Sequence, residues 1–157
     1  MPTGTRAVRG AAFVMGLALL LAVAAPARAE PPLVEAAKRG DLAAVVALLA
    51  GGADPDSHDR NRNTALTFAA RDGHFDMAAA LIAAGATVDW QDGERVTPLI
   101  LAAHKNHPGV VRLLLNQGAD PSIRDQWDRT ALDYALRRGT NDPVARMIEA
   151  AAAETQD

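Results

Sequence analysis

The sequence predicts an all-α solenoid of four helix-turn-helix repeats, and three observations lead there. A 33-residue period runs through several columns of the chain at once. Within each period, Thr-Ala-Leu or Thr-Pro-Leu opens one short apolar stretch, and a Gly-Ala pair closes a second. The composition is alanine-rich and only 4% aromatic, which suits thin elements stacked closely and suits a large sandwich less well.

Leu33, Leu66, Leu99 and Leu132 share the period, as do Ala36, Ala69, Ala102 and Ala135. Thr64, Thr97 and Thr130 keep it, as do the pairs Gly52-Ala53, Gly85-Ala86 and Gly118-Ala119, and Asp59, Asp92 and Asp125. Each unit begins with a turn rich in Asp, Asn, Arg and Gly. Thr then supplies an N-cap hydroxyl for an orphan backbone N–H, and Pro98 sits where a missing N–H costs nothing. The first helix carries small apolar residues and is expected to end near Gly73, Asn106 or Gly139, types that tolerate left-handed backbone. The second helix has apolar residues at helical spacing: Val45, Leu48 and Leu49; Met77, Leu81 and Ile82; Val111, Leu114 and Leu115; Val144, Met147 and Ile148.

This pattern resembles the ankyrin repeat, most closely at Thr97-Pro98-Leu99, Gly73-His74 and Gly118-Ala119-Asp120, over roughly residues 31 to 152. The resemblance implies helix pairs stacked side by side with β-hairpin-like fingers projecting from one edge. One pair cannot bury its apolar face alone, so the units stabilise one another. Repeats are expected near 31–58, 59–91, 92–124 and 125–152, the domain spanning 30–152 with a disordered tail over 153–157. The first unit lacks a finger and the last lacks the Gly-Ala-Asp ending, as capping repeats would. Two columns depart from the family pattern. Thr67, Ile100 and Asp133 stand where His is usual after Thr-Pro-Leu, and Arg62, Arg95 and Asp128 stand where Gly is usual in the finger. Non-Gly residues there imply a different turn or some strain.

Residues 1–29 read as an export signal: Arg6 and Arg9 precede an apolar run from Ala11 to Ala25, and Ala27 and Ala29 form an A-x-A cleavage pattern. The run is short for a bilayer span of about 20 residues, so stable membrane insertion after cleavage is not expected. Removing Arg6, Arg9 and Arg28 leaves 13 of the 16 Lys+Arg against all 19 Asp+Glu, a net charge of −6. So acidic a chain is a poor general nucleic-acid binder, because phosphate binding needs a basic surface. The alanine-rich composition and the signal look bacterial, which points to the periplasm, with secretion as the second choice.

Catalytic apparatus is not expected. There is no cysteine, which excludes disulfides, thiol chemistry, a lipoprotein anchor and Cys-based metal sites. Ser57 and Ser122 fall in inter-helix segments without a nucleophile-elbow context. The carboxylates recur at the repeat period, which marks turn chemistry rather than a local acid/base pair. His74 and His107 occupy one repeat position at the start of the second helix and read as structural, bonding across the loop. His104 and His107 are three apart, but a helix end separates them and no third ligand is near, whereas a metal site needs three or four. No cofactor is expected.

Stacked repeats recognise partners on a long concave surface. In ankyrin proteins that surface is made from finger tips and the exposed end of the first helix. Position by position, the helix ends here are Lys38-Arg39, Arg71-Asp72, His104-Lys105 and Arg137-Arg138. The finger residues are His58, Arg60, Asn61 and Asn63; Gln91, Gly93, Glu94 and Val96; and Arg124, Gln126, Trp127 and Arg129. A cation in every repeat suggests a basic stripe favouring an acidic partner surface, although cations at a helix C-terminus also meet the helix dipole favourably. Trp127 stands out, because an exposed Trp is costly without a use and Trp is enriched at binding hot spots; alternatively it packs on Trp90. The expected function is therefore non-catalytic protein binding by a monomer: scaffold, accessory or inhibitor of another exported protein. An immunity protein against a periplasmic toxin and a His-based metal or haem carrier are the alternatives.

Overall fold

The computed structural model describes residues 29–154, so residues 1–28 of the expected export signal and residues 155–157 of the expected tail lie outside it. Within it run eight helices: α1 Pro32–Lys38, α2 Leu42–Ala50, α3 Ala65–Asp72, α4 Phe75–Ala83, α5 Pro98–Lys105, α6 Pro108–Asn116, α7 Ala131–Leu136 and α8 Pro143–Glu154. They form two layers. The odd helices pack in series, α1 on α3 on α5 on α7, and the even helices do the same outside them. The last helix reaches Glu154, two residues past the expected domain end at 152. Conversely, α7 ends at Leu136, short of the expected stop near Gly139. The four-unit solenoid is as predicted.

The alanine column explains the inner layer. Ala36, Ala69, Ala102 and Ala135 are at most 1% exposed and lie on helices packed against one another. A methyl group at that position lets backbones approach, while Leu33, Leu66 and Leu99, equally buried, close the seam beside it. The even helices contribute Val45, Met77, Leu81, Val111, Leu114, Val144 and Ile148, all at most 2% exposed, so the core is one continuous spine between the layers.

Helix ends follow from the repeated residues. Thr64, Thr97 and Thr130 cap α3, α5 and α7, each accepting from the backbone N–H three residues on. Thr67 and Asp133 answer reciprocally, taking the N–H of Thr64 at 3.2 Å and of Thr130 at 2.8 Å. Two of the three residues that depart from the family's usual His thus complete capping boxes, whereas Ile100 is buried instead. The Gly-Ala pairs close the even helices in Schellman geometry: the N–H of Ala53, Ala86 and Ala119 reaches the carbonyl of Leu48, Leu81 and Leu114 at 3.0 Å each.

The fingers, residues 59–63, 92–96 and 125–129, are stiff turns rather than paired strands; among the described residues the only β pairing is an isolated bridge between His58 and Thr64. In each, the first Asp organises the turn. Asp59 Oδ1 accepts the N–H of Asn61 and Asn63 at 2.9 Å each. Asp92 does so for Glu94 and Val96, and Asp125 for Trp127 and Arg129. Arg62, Arg95 and Asp128 take φ of 63°, 61° and 62°. The turn therefore keeps its left-handed residue despite lacking glycine, and the carboxylate network holds that strain in place. Adjacent fingers are tied by backbone: Gly93 N–H donates to Asn61 carbonyl at 2.8 Å, and Gln126 N–H to Glu94 carbonyl at 3.0 Å. A Cβ on Gly93 would stand 3.1 Å from that Asn61 oxygen, so the close approach favours Gly there.

Asp125 is only 1% exposed and is the most enclosed of these carboxylates. Burial pushes its pKa up, but the Tyr134 hydroxyl at 2.7 Å, the Arg129 and Trp127 N–H groups and the Arg129 guanidinium outweigh burial and hold it below 3.8. A depressed carboxyl stabilises the fold above the unfolded value and loses that contribution as pH falls through the folded one.

Three outcomes are expected. Ala102→Leu forces an isobutyl group into the inner seam and lowers unfolding free energy by at least about 2 kcal/mol, read from denaturant midpoints. Arg95→Gly relieves the left-handed strain and raises it by about 0.5–1 kcal/mol, with an unchanged m-value. Asp125→Asn costs about 2 kcal/mol at pH 7, and the deficit shrinks as pH is lowered below 4, measured by urea titrations across that range.

Candidate concave binding surface

The fingers and the C-terminal ends of the odd helices face one flank, and the predicted surface residues divide into two groups. At the N-terminal end the cations are matched by carboxylates. Lys38 Nζ lies 2.6 Å from Glu30 and 3.5 Å from Asp59, and its pKa is raised chiefly by the Glu30 hydrogen bond. Arg39 pairs with Glu35 at 3.2 Å. Arg71 grips Asp72 through two bonds of 2.8 and 2.9 Å, and that hydrogen bonding depresses the Asp72 carboxyl. The ring of Phe68 lies between Lys38 and Arg71, at 5.0 and 4.8 Å. The side-chain amide of Asn63 is spent on Asp59, whereas Asn61 engages the next finger only through its backbone carbonyl. Arg60 lines a hollow with Asn61, Asn63, Asp92, Gly93 and Glu94.

The C-terminal end differs. A cleft of about 310 Å³ opens between the second and third fingers and the odd helices, lined by Glu94, Val96, Ile100, Leu101, His104, Trp127, Arg129, Tyr134 and Arg137. Tyr134 is its centre. The Arg129 and Arg137 guanidinium groups lie 4.7 and 4.8 Å from its ring, and the His104 ring packs 5.0 Å from it. Arg129 also pairs with Asp125 at 3.2 Å and lies 4.6 Å over Trp127. Trp127 remains 52% exposed at the rim. Arg137 and Lys105 have no acidic partner within ion-pair distance among the described residues. Burial, then the charges of Lys105, Arg137, Arg138 and Arg129, hold the His104 imidazole below its ordinary pKa, so it is neutral at pH 7.

Several expectations change. Val96 is buried at 7% and forms floor rather than exposed finger. Arg138 is committed internally, to Asp142 at 2.9 Å and to the Ala103 and His104 carbonyls at 2.9 and 3.3 Å. Arg124 folds onto the Asp128 carbonyl at 2.7 Å. The basic stripe is thus no uniform run of unpaired cations, because its N-terminal half is neutralised by adjacent carboxylates. The two tryptophans do not share partners either. Trp90 donates its indole N–H to the Arg62 carbonyl at 2.7 Å and packs 5.2 Å from His58, tying the first finger to the segment that ends the same repeat.

Of the two histidines at the repeat position, His107 bonds to the preceding repeat rather than across its own loop, while the His74 ring lies against Gly40 of the preceding repeat. His107 Nε2 meets the Arg71 carbonyl at 3.0 Å, and its ring so crowds Gly73 that a Cβ there would lie 2.5 Å away. Arg138 performs the same carbonyl capping one repeat later. Among the described residues no three His, Asp or Glu side chains gather as a metal-holding group, and no helix is long and apolar enough to cross a membrane.

Phe68 and Tyr134, both buried, and half-buried Leu101 underlie this flank and were not among the expected residues. They are spaced by 33 and form a column along the odd helices. That register, together with the lone tyrosine of the chain, was the available signal. No curated protein matches the chain. The family model described as ankyrin repeats (3 copies) matches residues 33–125 and again 89–157. Such repeats are generally protein–protein interaction modules and typically non-enzymatic. With the paired layers, the tied fingers and that match in agreement, the chain belongs to the ankyrin-repeat family.

Proposed function

We propose that this protein is a non-catalytic binding module that grips another exported protein in the periplasm, as a scaffold, accessory or inhibitor. The observation that carries the reading is Trp127, half-exposed on a finger anchored by backbone and carboxylate bonds, at the rim of an aromatic-lined cleft. A large rigid side chain held out at little entropic cost is what interface anchors require. Export is supported by the basic flank at Arg6 and Arg9, the apolar run that follows and the small residues at Ala27 and Ala29.

Affinity capture from periplasmic extract tests the reading. Trp127→Ala is expected to reduce recovery of the captured partner at least tenfold, in line with the roughly 2 kcal/mol lost at a hot spot, with the melting temperature unchanged. Equal recovery by both proteins would remove the concave face from the binding function.

A further inference from the structure

Resting on that reading, we infer that the Tyr134 cleft recognises an acidic linear segment of the partner, seating a carboxylate on Arg137 beside His104 and a neighbouring apolar or aromatic side chain against Trp127 and Tyr134. The size of the cleft, about 310 Å³, suits one or two side chains and not a folded domain. Its chemistry has two parts. One is the exposed ring of Trp127 beside the largely buried Tyr134, over an apolar floor of Val96, Ile100 and Leu101. The other is positive charge not held in an ion pair, in a cleft whose one lining carboxylate is Glu94: Arg137 is exposed, is stacked on Tyr134 and has no acidic partner within ion-pair distance among the described residues, and Lys105 is likewise unpaired. The chain as a whole is acidic, so this end of the flank is a local reversal of sign. The opposite end offers a similar aromatic, Phe68, but its cations Lys38 and Arg71 are already held by Glu30, Asp59 and Asp72, so a carboxylate arriving there must compete.

The charges facing His104 give the site a proton linkage. From α5 comes Lys105; from α7 come Arg137, Arg138 and Tyr134; from the fingers come Arg129 and Glu94. On α3, Arg71 and Asp72 neutralise one another, and His107 on the α6 side is turned to the Arg71 carbonyl. Burial first, and then the surplus of cations, keeps His104 neutral in the free protein. A bound carboxylate offsets them and raises the proton affinity of His104, so binding takes up a proton and tightens as pH falls.

Fluorescence anisotropy with three labelled, end-blocked peptides tests this: Gly-Glu-Phe-Glu-Glu-Gly, its Gln counterpart and its Lys counterpart. The Glu peptide is expected to bind at least about tenfold more tightly than the Gln peptide, and the Lys peptide least. Arg137→Glu should abolish the preference, while Arg39→Glu, at the neutralised end, leaves it intact; thermal unfolding of both variants reports on the fold. Affinity for the Glu peptide should rise roughly threefold to tenfold between pH 7.5 and 5.5, where glutamate is still largely ionised, and His104→Gln should flatten that rise. Equal binding of the Glu and Gln peptides, no binding of the Glu peptide, equal losses in Arg137→Glu and Arg39→Glu, or a flat profile in the unmutated protein would each overturn the inference. If any of these occurs while Trp127→Ala still loses the captured partner, concave-face binding stands and acidic recognition alone fails. If Trp127→Ala also retains the partner, both fail.

Discussion

The structure depends on close contact between odd helices across a column of alanines. Ala36, Ala69, Ala102 and Ala135 are essentially without solvent exposure, and each is buried by helices of adjoining repeats. Helices of six to eight residues are too short to persist alone. Their stability comes from the neighbour, and only a methyl-sized side chain lets that neighbour come near enough to close the spine. The even helices then seal the outer side with larger residues. Stability is accordingly distributed along the stack instead of residing in one central core.

The fingers solve a second problem, how to hold irregular backbone rigid without strands. A single aspartate in each satisfies two N–H groups of its own turn, and backbone bonds between fingers pass from Asn61 to Gly93 and from Glu94 to Gln126. The lattice is strong enough to keep Arg62, Arg95 and Asp128 in left-handed backbone. Long arginine side chains at two of these positions place charge on the finger tips where glycine would place none. Arg62 uses this directly, with its guanidinium 5.4 Å over the Trp90 ring.

Charge along the concave flank is uneven for a related reason. Each odd helix ends near a cation, as the helix dipole favours, but whether that cation is offered to solvent depends on carboxylates supplied by other segments. Glu30, Asp59 and Asp72 absorb Lys38 and Arg71. Asp142 absorbs Arg138. Arg137 and Lys105 are left. An even repeat thus yields a directional surface, with its open charge and its aromatic rim at one end.

How much was legible beforehand follows from what each interaction requires. Local interactions repeat with the sequence. The Thr caps, the Gly-Ala stops, the Asp-centred turns and the amphipathic second helices all join residues within one unit, so their 33-residue register was enough to establish four units and the boundaries of most helices. The partners of the long side chains were not available that way. That His107 reaches Arg71, that Arg138 turns inward, that Val96 is buried, and that His104, Trp127 and Tyr134 meet in one cleft are contacts between neighbouring repeats or between a finger and a helix, and Trp90 reaches Arg62 across the length of its own repeat. They depend on distances that stacking creates, and flexible side chains of one type have several partners within reach. The sequence by itself determined the repeat; the tertiary structure alone decided which of its polar side chains are already occupied, because occupancy is a matter of three-dimensional proximity and not of register.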